Sequence, residues 1–356
     1  MSALLAASAL FLAFFLLLAL PLTPACLELF YKTDDAPLKV VQQHAGDVRF
    51  FADGFRHYLA QIQPNLDECE LYGSDALIVM PDSIPCLVLA QKGSPHDFAI
   101  DGDKNCSKVI ASIEDLELPA ETTFEKDIYA RRRLQGGTGN QYRAILGERD
   151  VQLAESSVVM RWVHAVGDID CAPNCRLYGR ISSERSIRLQ AGCVFTRLNA
   201  PRIELGNLLP DSAPAVGDTA GGNATSSVME RVLHDGDLQI EPGEVFAKHL
   251  VVRGTLRIGE GARMLGNVKA QKAIVLDRGV FAYGSLISAA TLSIGPHCRV
   301  QGPLIAEHTI MIDSSAMVGD AEVPTTVSAP RIEVAEGAVV FGTLWAREQG
   351  QVVARV

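Results

Sequence analysis

The sequence predicts an all-β fold: a parallel β-helix with about 18 residues per three-strand turn, preceded by a transmembrane helix and a small α+β region. A pair of aliphatic residues around one variable residue recurs at a fixed interval, as in Leu256-Arg-Ile258 and Ile274-Val-Leu276. Inward and outward positions alternate within each copy, and glycines stand where the chain would turn. A fixed short period of this kind indicates stacked supersecondary units, which is the signature of a solenoid.

The repeat defines the predicted turn in detail. Copies start at Leu292 and Ile310 with the same step, and Ile332 follows after a longer interval. Counted from the first aliphatic residue, positions 1, 3, 7, 9, 13 and 15 are apolar or small. We therefore expect three short strands per turn, with corners at positions 6 and 11, where glycine is frequent.

The same repeat extends toward the N-terminus. Val151, Ile169 and Ile187 keep the regular step, and Ile203 follows after a shorter one. Leu116 and Leu134 start two degenerate turns, as terminal turns of repeat proteins often are. The predicted β-helix, about twelve turns, covers residues 116–348, is followed by a tail at 349–356, and carries at 206–227 a Gly-, Ala- and Ser-rich loop that we expect to be flexible.

Residues 1–26 are predicted to be a transmembrane anchor. Residues 3–22 carry no charge and include a single hydroxyl residue besides apolar ones, which is enough to cross the roughly 30 Å hydrocarbon core. A cleaved signal peptide is the alternative, and the missing basic residues before the span favour an uncleaved anchor. Lys32, Lys39, Arg49 and Arg56 follow the span, so we expect one pass through the inner (cytoplasmic) membrane with the C-terminal body in the cytoplasm.

Residues 27–115 are predicted to form a small α+β juxtamembrane region. Apolar residues at helical spacing follow Asp47, and Pro64 would end that helix. Short apolar runs at 77–80, 86–90 and 108–113 suggest strands.

Composition and motifs argue against several functions. The net charge of −10 does not suit a nucleic-acid partner, because phosphate binding needs a basic surface. No nucleophile-elbow, phosphate-loop or paired-histidine motif occurs, so we predict no catalytic residues, no cofactor, no metal and no enzymatic activity. Cys171, Cys175, Cys193 and Cys298 fall on inward positions, where they would act as small hydrophobic residues suited to a reducing compartment.

Two enzymatic alternatives remain open. The six-residue sub-period within each turn is also compatible with a hexapeptide-repeat acyltransferase, whose catalytic histidine would lie in an inserted loop. Here the inward residues come in pairs, and the loop at 206–227 contains no histidine. The other alternative is an exported β-helix protein acting on envelope polysaccharide. Either enzyme should show clustered histidines or carboxylates on one side of the coil.

The blocks at 250–262 and 330–345 resemble bactofilins, the bacterial polymer-forming cytoskeletal proteins. The similarity covers 238–348 and extends back toward 116. It implies a right-handed β-helix that polymerises end to end without nucleotide or metal, and a membrane-associated scaffold that positions cell-envelope or cell-wall proteins. The expected partners are thus further copies of the chain, the membrane and envelope proteins.

Physical reasoning places the polymer contact at the end of the solenoid. A parallel coil that stops abruptly leaves a row of unpaired N–H and C=O groups on its last turn. We therefore predict a polymerisation interface on the final turn, formed by Val339, Val340, Phe341, Leu344 and Trp345. Phe341 and Trp345 occupy outward positions, which suits a contact surface.

Overall fold

The computed structural model describes residues 8–11, 13–15, 17, 47–91, 104–207 and 229–354. The chain divides into two compact units, Met1–Asp47 and Val48–Val356. In the first unit the described residues before Asp47 are helical. The second unit contains a β-solenoid of about 13 turns in its described part, together with short helices.

The predicted transmembrane helix is wrong. In the described part of the chain, no helix is long and apolar enough to cross a membrane. The two α-helices of the second unit have ten residues each, about half of the roughly 20 that a bilayer requires. Apolar composition favours burial without specifying how far a helix continues. The other residues of the predicted anchor, and 27–46, lie outside the described residues.

The helices of the second unit are α1 (Phe50–Leu59), a 3-10 turn (Ala60–Ile62) and α2 (Gln63–Tyr72). Pro64 was expected to end the helix, but it lies in the first turn of α2. Proline is tolerated there because the N–H that it lacks would have no partner within the helix. Gly73 ends α2 in the left-handed conformation, with φ of 59°.

The strands form two stacks, which we call the N-stack (76–205) and the C-stack (231–353), and each coil has three sides, A, B and C, in chain order. The N-stack begins with an antiparallel hairpin, β1–β2, after which the ladders are parallel. Its strands are β1 (Ala76–Val79), β2 (Pro85–Leu89), β3 (Asn105–Cys106), β4 (Val109–Ser112), β5 (Leu116–Glu117), β6 (Thr123–Ala130), β7 (Leu134–Gln135), β8 (Gln141–Gly147), β9 (Val151–Leu153), β10 (Val158–Ala165), β11 (Ile169–Cys171), β12 (Arg176–Ser183), β13 (Ser186–Leu189) and β14 (Val194–Leu205).

The C-stack repeats the same parallel arrangement with shorter strands. Side A consists of β16, β19, β22, β25 and β28, side B of β17, β20, β23, β26 and β29, and side C of β15, β18, β21, β24 and β27; β30 covers two sides and β31 all three. The ranges are β15 (Arg231–His234), β16 (Leu238–Ile240), β17 (Val245–Phe246), β18 (His249–Val252), β19 (Leu256–Ile258), β20 (Arg263–Met264), β21 (Val268–Ala270), β22 (Ile274–Leu276), β23 (Phe281–Ala282), β24 (Leu286–Ser288), β25 (Thr291–Ile294), β26 (Arg299–Val300), β27 (Leu304–Ala306), β28 (Thr309–Ile312), β29 (Met317–Val318), β30 (Thr325–Ala335) and β31 (Ala338–Val353).

The corner positions confirm the predicted turn geometry. Position 6 adopts the left-handed conformation in successive coils, with φ of 67° at Gly279, 59° at His297 and 60° at Ser315. Position 11 needs glycine for a different reason. A Cβ on Gly284 would lie 2.4 Å from the carbonyl oxygen of Gly266 in the preceding coil, so a side chain there would push the coils apart.

The helices α1 and α2 cover side C of the N-stack. Phe55, Leu59 and other apolar residues of the helices pack on outward side chains of β4, β8 and β10. Trp162 of β10 is buried at the centre of this contact, with its ring 6.4 Å from the Phe51 ring and 6.0 Å from the Phe55 ring. The outward face of side C is therefore a second apolar layer, separate from the core inside the coils.

Replacing Trp162 with alanine should release the helical cover. The change removes both ring contacts and leaves a cavity, so we expect about 3 kcal/mol of destabilisation of this layer. Hydrogen exchange should show loss of protection in α1 and α2 while the coils of the C-stack keep theirs. Met160→Ala, an exposed position on the same strand, is the control and should change neither. Equal loss of protection throughout both stacks would contradict this layered packing.

Candidate assembly interface

All five residues of the predicted interface lie in β31, on the last coil of the C-stack. That coil does not end in solvent, because β31 pairs antiparallel with β14, the last strand of the N-stack. Leu344 is paired with Leu198, and Val340 with Ile203. The hydrogen-bonding edge expected to receive another copy is thus occupied within the chain, and a second copy would have to displace β14.

The joint between β14 and β31 includes all three sides of both coils. Side C of β14 (197–200) pairs with side C of β31 (342–345), whereas sides A and B of one stack pair with sides B and A of the other. This exchange is what a two-fold relation perpendicular to the stack axis produces. The two stacks therefore meet through their C-terminal coils, and the chain runs in opposite directions along them.

Outward side chains hold the joint together. The guanidinium of Arg197 lies 5.2 Å from the Trp345 ring centre, and that of Arg202 lies 5.9 Å from the Phe341 ring centre. Asn199 Nδ2 donates a hydrogen bond to Thr343 Oγ1 at 2.7 Å. The contact role predicted for Phe341 and Trp345 is thus filled by arginines of the chain's own N-stack.

Glu204 connects this joint to the preceding coil. Its carboxylate accepts hydrogen bonds from Arg202 Nε at 2.6 Å and from Arg188 Nε at 2.9 Å, and it is largely buried. Burial alone would raise the pKa of Glu204, but the two guanidinium groups outweigh it and the pKa is lowered. The carboxylate therefore stays ionised, and its charge is neutralised where the stacks meet.

Sequence reasoning missed the N-stack half of the joint. The shortened step before Ile203 marked an irregular turn, but no local pattern assigned Arg197, Asn199 or Arg202 to a contact. Their partners lie in β31, far along the chain, and antiparallel pairing does not follow the repeat.

The first coil of the C-stack has an unpaired edge, which we call the free coil edge (Arg231–Phe246). Among the described residues, its strands β15, β16 and β17 pair only with the next coil, through β18, β19 and β20. Leu238 N–H donates to Thr255 and Ile240 C=O accepts from Gly259, both in the next coil. In a parallel ladder alternate residues face opposite neighbours, so the N–H and C=O of Gln239 point out of the stack.

Apolar side chains reinforce this edge. Val232, Leu238 and Phe246 are inward residues that pack on the core, but they remain partly exposed because no described coil covers them. Leu233 and Val245, on the outside of the same coil, are each 57% exposed. The other end of the solenoid differs, since the β1–β2 hairpin covers side C there.

The inward cysteines are placed as predicted. Cys171, Cys175, Cys193 and Cys298 are buried free thiols, as are Cys69 and Cys86. Hydrogen bonding to Cys193 and burial raise the pKa of Cys175, and burial raises that of Cys298 to about 11. Such thiols stay protonated near neutral pH and act as core residues. In the described segments, no group of three His, Cys, Asp or Glu side chains could hold a metal ion.

His164 and Ser182 form a buried polar pair beside α1. His164 Nδ1 lies 2.9 Å from Ser182 Oγ, while His164 Nε2 has no hydrogen-bond partner in the described structure and is 3.7 Å from Glu184 Oε1. Burial lowers the pKa of His164; Arg56 and Arg49 lower it further, whereas Glu184 and Glu148 oppose them. Both residues of the pair are too buried to meet a substrate, so they contribute to structure.

No family model, no curated protein and no solved structure matches this chain.

His164 should make stability depend on pH. Because its folded-state pKa lies below the unfolded value of about 6.5, the unfolded chain binds the proton more readily. The stability preserved by the neutral ring is present above about pH 6.5 and is lost as the pH falls through the folded-state pKa. His164→Gln removes this dependence, worth about 1.4 kcal/mol per unit of depression, as denaturant unfolding at several pH values should show. His308→Gln, an exposed control, should keep the wild-type profile; an unchanged profile in His164→Gln would refute the assignment.

Proposed function

We propose that this protein is a self-associating scaffold that assembles through the free coil edge. One observation carries the proposal: three sides of a solenoid coil end together with backbone donors and acceptors that no described residue pairs. Such an edge is a template for strand addition. The chain contains one example of pairing between two coil edges, because β14 and β31 pair antiparallel.

The apolar residues at the edge support the same conclusion. Val232, Leu238 and Phe246 would become buried if another coil covered them, and each would gain roughly the transfer energy of a newly buried side chain. The resemblance to bactofilins favours assembly as well. On this proposal the solenoid sides remain accessible along the assembled rods, where envelope proteins would be positioned. The protein would then act through contacts and not through catalysis.

Two substitutions of Gln239, compared with each other, test the role of its backbone N–H. Gln239→Pro removes the outward N–H, whereas Gln239→Ala removes the same side chain and keeps that donor. The bonds of Leu238 and Ile240 to the next coil are unaffected by either change. We expect the full chain to self-associate with rising concentration in sedimentation velocity, Gln239→Ala to match it, and Gln239→Pro to associate at least about tenfold more weakly.

Two results would refute the proposal. One is a wild-type chain that stays monomeric up to concentrations of about 100 μM, where even weak assembly is visible. The other is a Gln239→Pro chain that associates like the wild type, which would move the contact away from this edge.

A further inference from the structure

Side A of the N-stack has an open groove that crosses β7, β9, β11 and β13 and has a volume of about 550 Å³. This volume is within the range of small-ligand sites. It lies on the outside of the coils, away from the free coil edge, and one end of it reaches Arg188, which also donates to Glu204 beside the joint. No part of the proposed assembly contact uses it.

The bottom of the groove is apolar and formed by small residues. Leu153, Ala154, Cys171, Ala172 and Pro173 line it; Leu153 and Cys171 belong to the core inside the coils, so the groove surface is formed mainly by Ala154, Ala172 and Pro173. Gly136 lies at one end, and Ala154 and Ala172 have short side chains, so nothing fills the trough over these coils.

Polar groups surround this apolar bottom. Gln135, Gln152 and Gln190 line the groove, and in the described structure their carboxamides have no hydrogen-bond partner. The charged groups are already satisfied: Arg188 Nη1 lies 2.8 Å from Asp170 Oδ1. The groove thus offers three free carboxamides, each a donor and an acceptor, and its one carboxylate and one guanidinium cancel.

The polar groups are periodic along the stack. The parallel register places Gln135, Gln152, Asp170 and Arg188 directly beside one another on successive coils. Adjacent strands are about 4.8 Å apart, so polar groups recur at that interval along the groove. Gln135 and Gln152 are neutral, and Asp170 and Arg188 pair with each other, so an elongated ligand with uncharged donors and acceptors, and with an apolar face toward the alanines, fits this arrangement.

We propose that this groove binds a neutral, linear glycan. Hydroxyl and acetamido groups both donate and accept hydrogen bonds, as carboxamides do, and the C–H face of a pyranose ring is apolar enough to lie on Ala154 and Ala172. Side-chain charges balance at the site, which disfavours an anionic or cationic polymer. A peptide strand could not pair here, because the strands below are paired on both edges.

Isothermal titration calorimetry of the full chain tests the proposal with a tetramer of β-1,4-linked N-acetylglucosamine, cellotetraose and tetragalacturonate as probes. At least one neutral tetramer should bind with a dissociation constant below about 1 mM, and more tightly than tetragalacturonate. Ala172→Trp fills the trough and should abolish binding. The double change Gln152→Ala with Gln190→Ala should weaken it about tenfold, since two hydrogen bonds are lost.

Ser293→Ala is the matched control, because Ser293 occupies the equivalent outward position on side A of the C-stack and should leave binding unchanged. Three results would overturn the proposal: no binding of either neutral tetramer, tighter binding of tetragalacturonate, or binding that survives both groove variants. Circular dichroism and thermal unfolding of each variant establish that it folds. If Ala172→Trp does not fold, the double glutamine variant still tests the groove.

Discussion

Every coil of a parallel solenoid has to pair its backbone groups with a neighbour, and the rest of this structure depends on how the end coils meet that requirement. The antiparallel joint of β14 with β31 satisfies it for both C-terminal coils at once. It turns two stacks into one continuous sheet and buries Leu198 against Leu344 without any additional capping element. The N-terminal coils differ from each other. The β1–β2 hairpin covers one side of the first coil of the N-stack, whereas no described residue pairs with the outer edge of the first coil of the C-stack.

The periodic part of the fold could be predicted from the sequence because each coil repeats the same local physics. Position 6 adopts the left-handed backbone conformation, and position 11 has no room for a Cβ beside the backbone of the preceding coil. Glycines such as Gly279 and Gly284 therefore indicated the corners in the sequence. Paired aliphatic positions revealed the strands. The buried thiols at Cys175 and Cys193 followed from the same register.

The features of the fold that lie outside the repeat could not be predicted from it. The joint is a single antiparallel contact between distant segments, and outward residues such as Arg197 and Phe341 look like ordinary variable positions. Pro64 was misread because a proline signals both the end of one helix and the start of the next. The apolar N-terminal segment was misread because composition indicates insertion or burial without specifying helix length.

On the two proposals made above, assembly and ligand binding use different surfaces. Joining the C-terminal coils inside one chain leaves the free coil edge as the place where strand addition can continue, while the groove lies on side A of the other stack. The helical cover occupies side C of that stack and does not reach the groove residues. A scaffold of this form could hold a glycan along one surface and extend itself from another.

The most direct measurement is disulfide formation between cysteines introduced at Asn199 and Thr343, whose side chains touch across the joint. Paired residues on antiparallel strands have Cα atoms about 4.5–5.5 Å apart, which a disulfide can span. We expect an intramolecular disulfide in dilute solution, at a yield independent of protein concentration. Cross-links that form only between chains, and only at high concentration, would contradict the joint and would make the C-terminal coil an intermolecular interface.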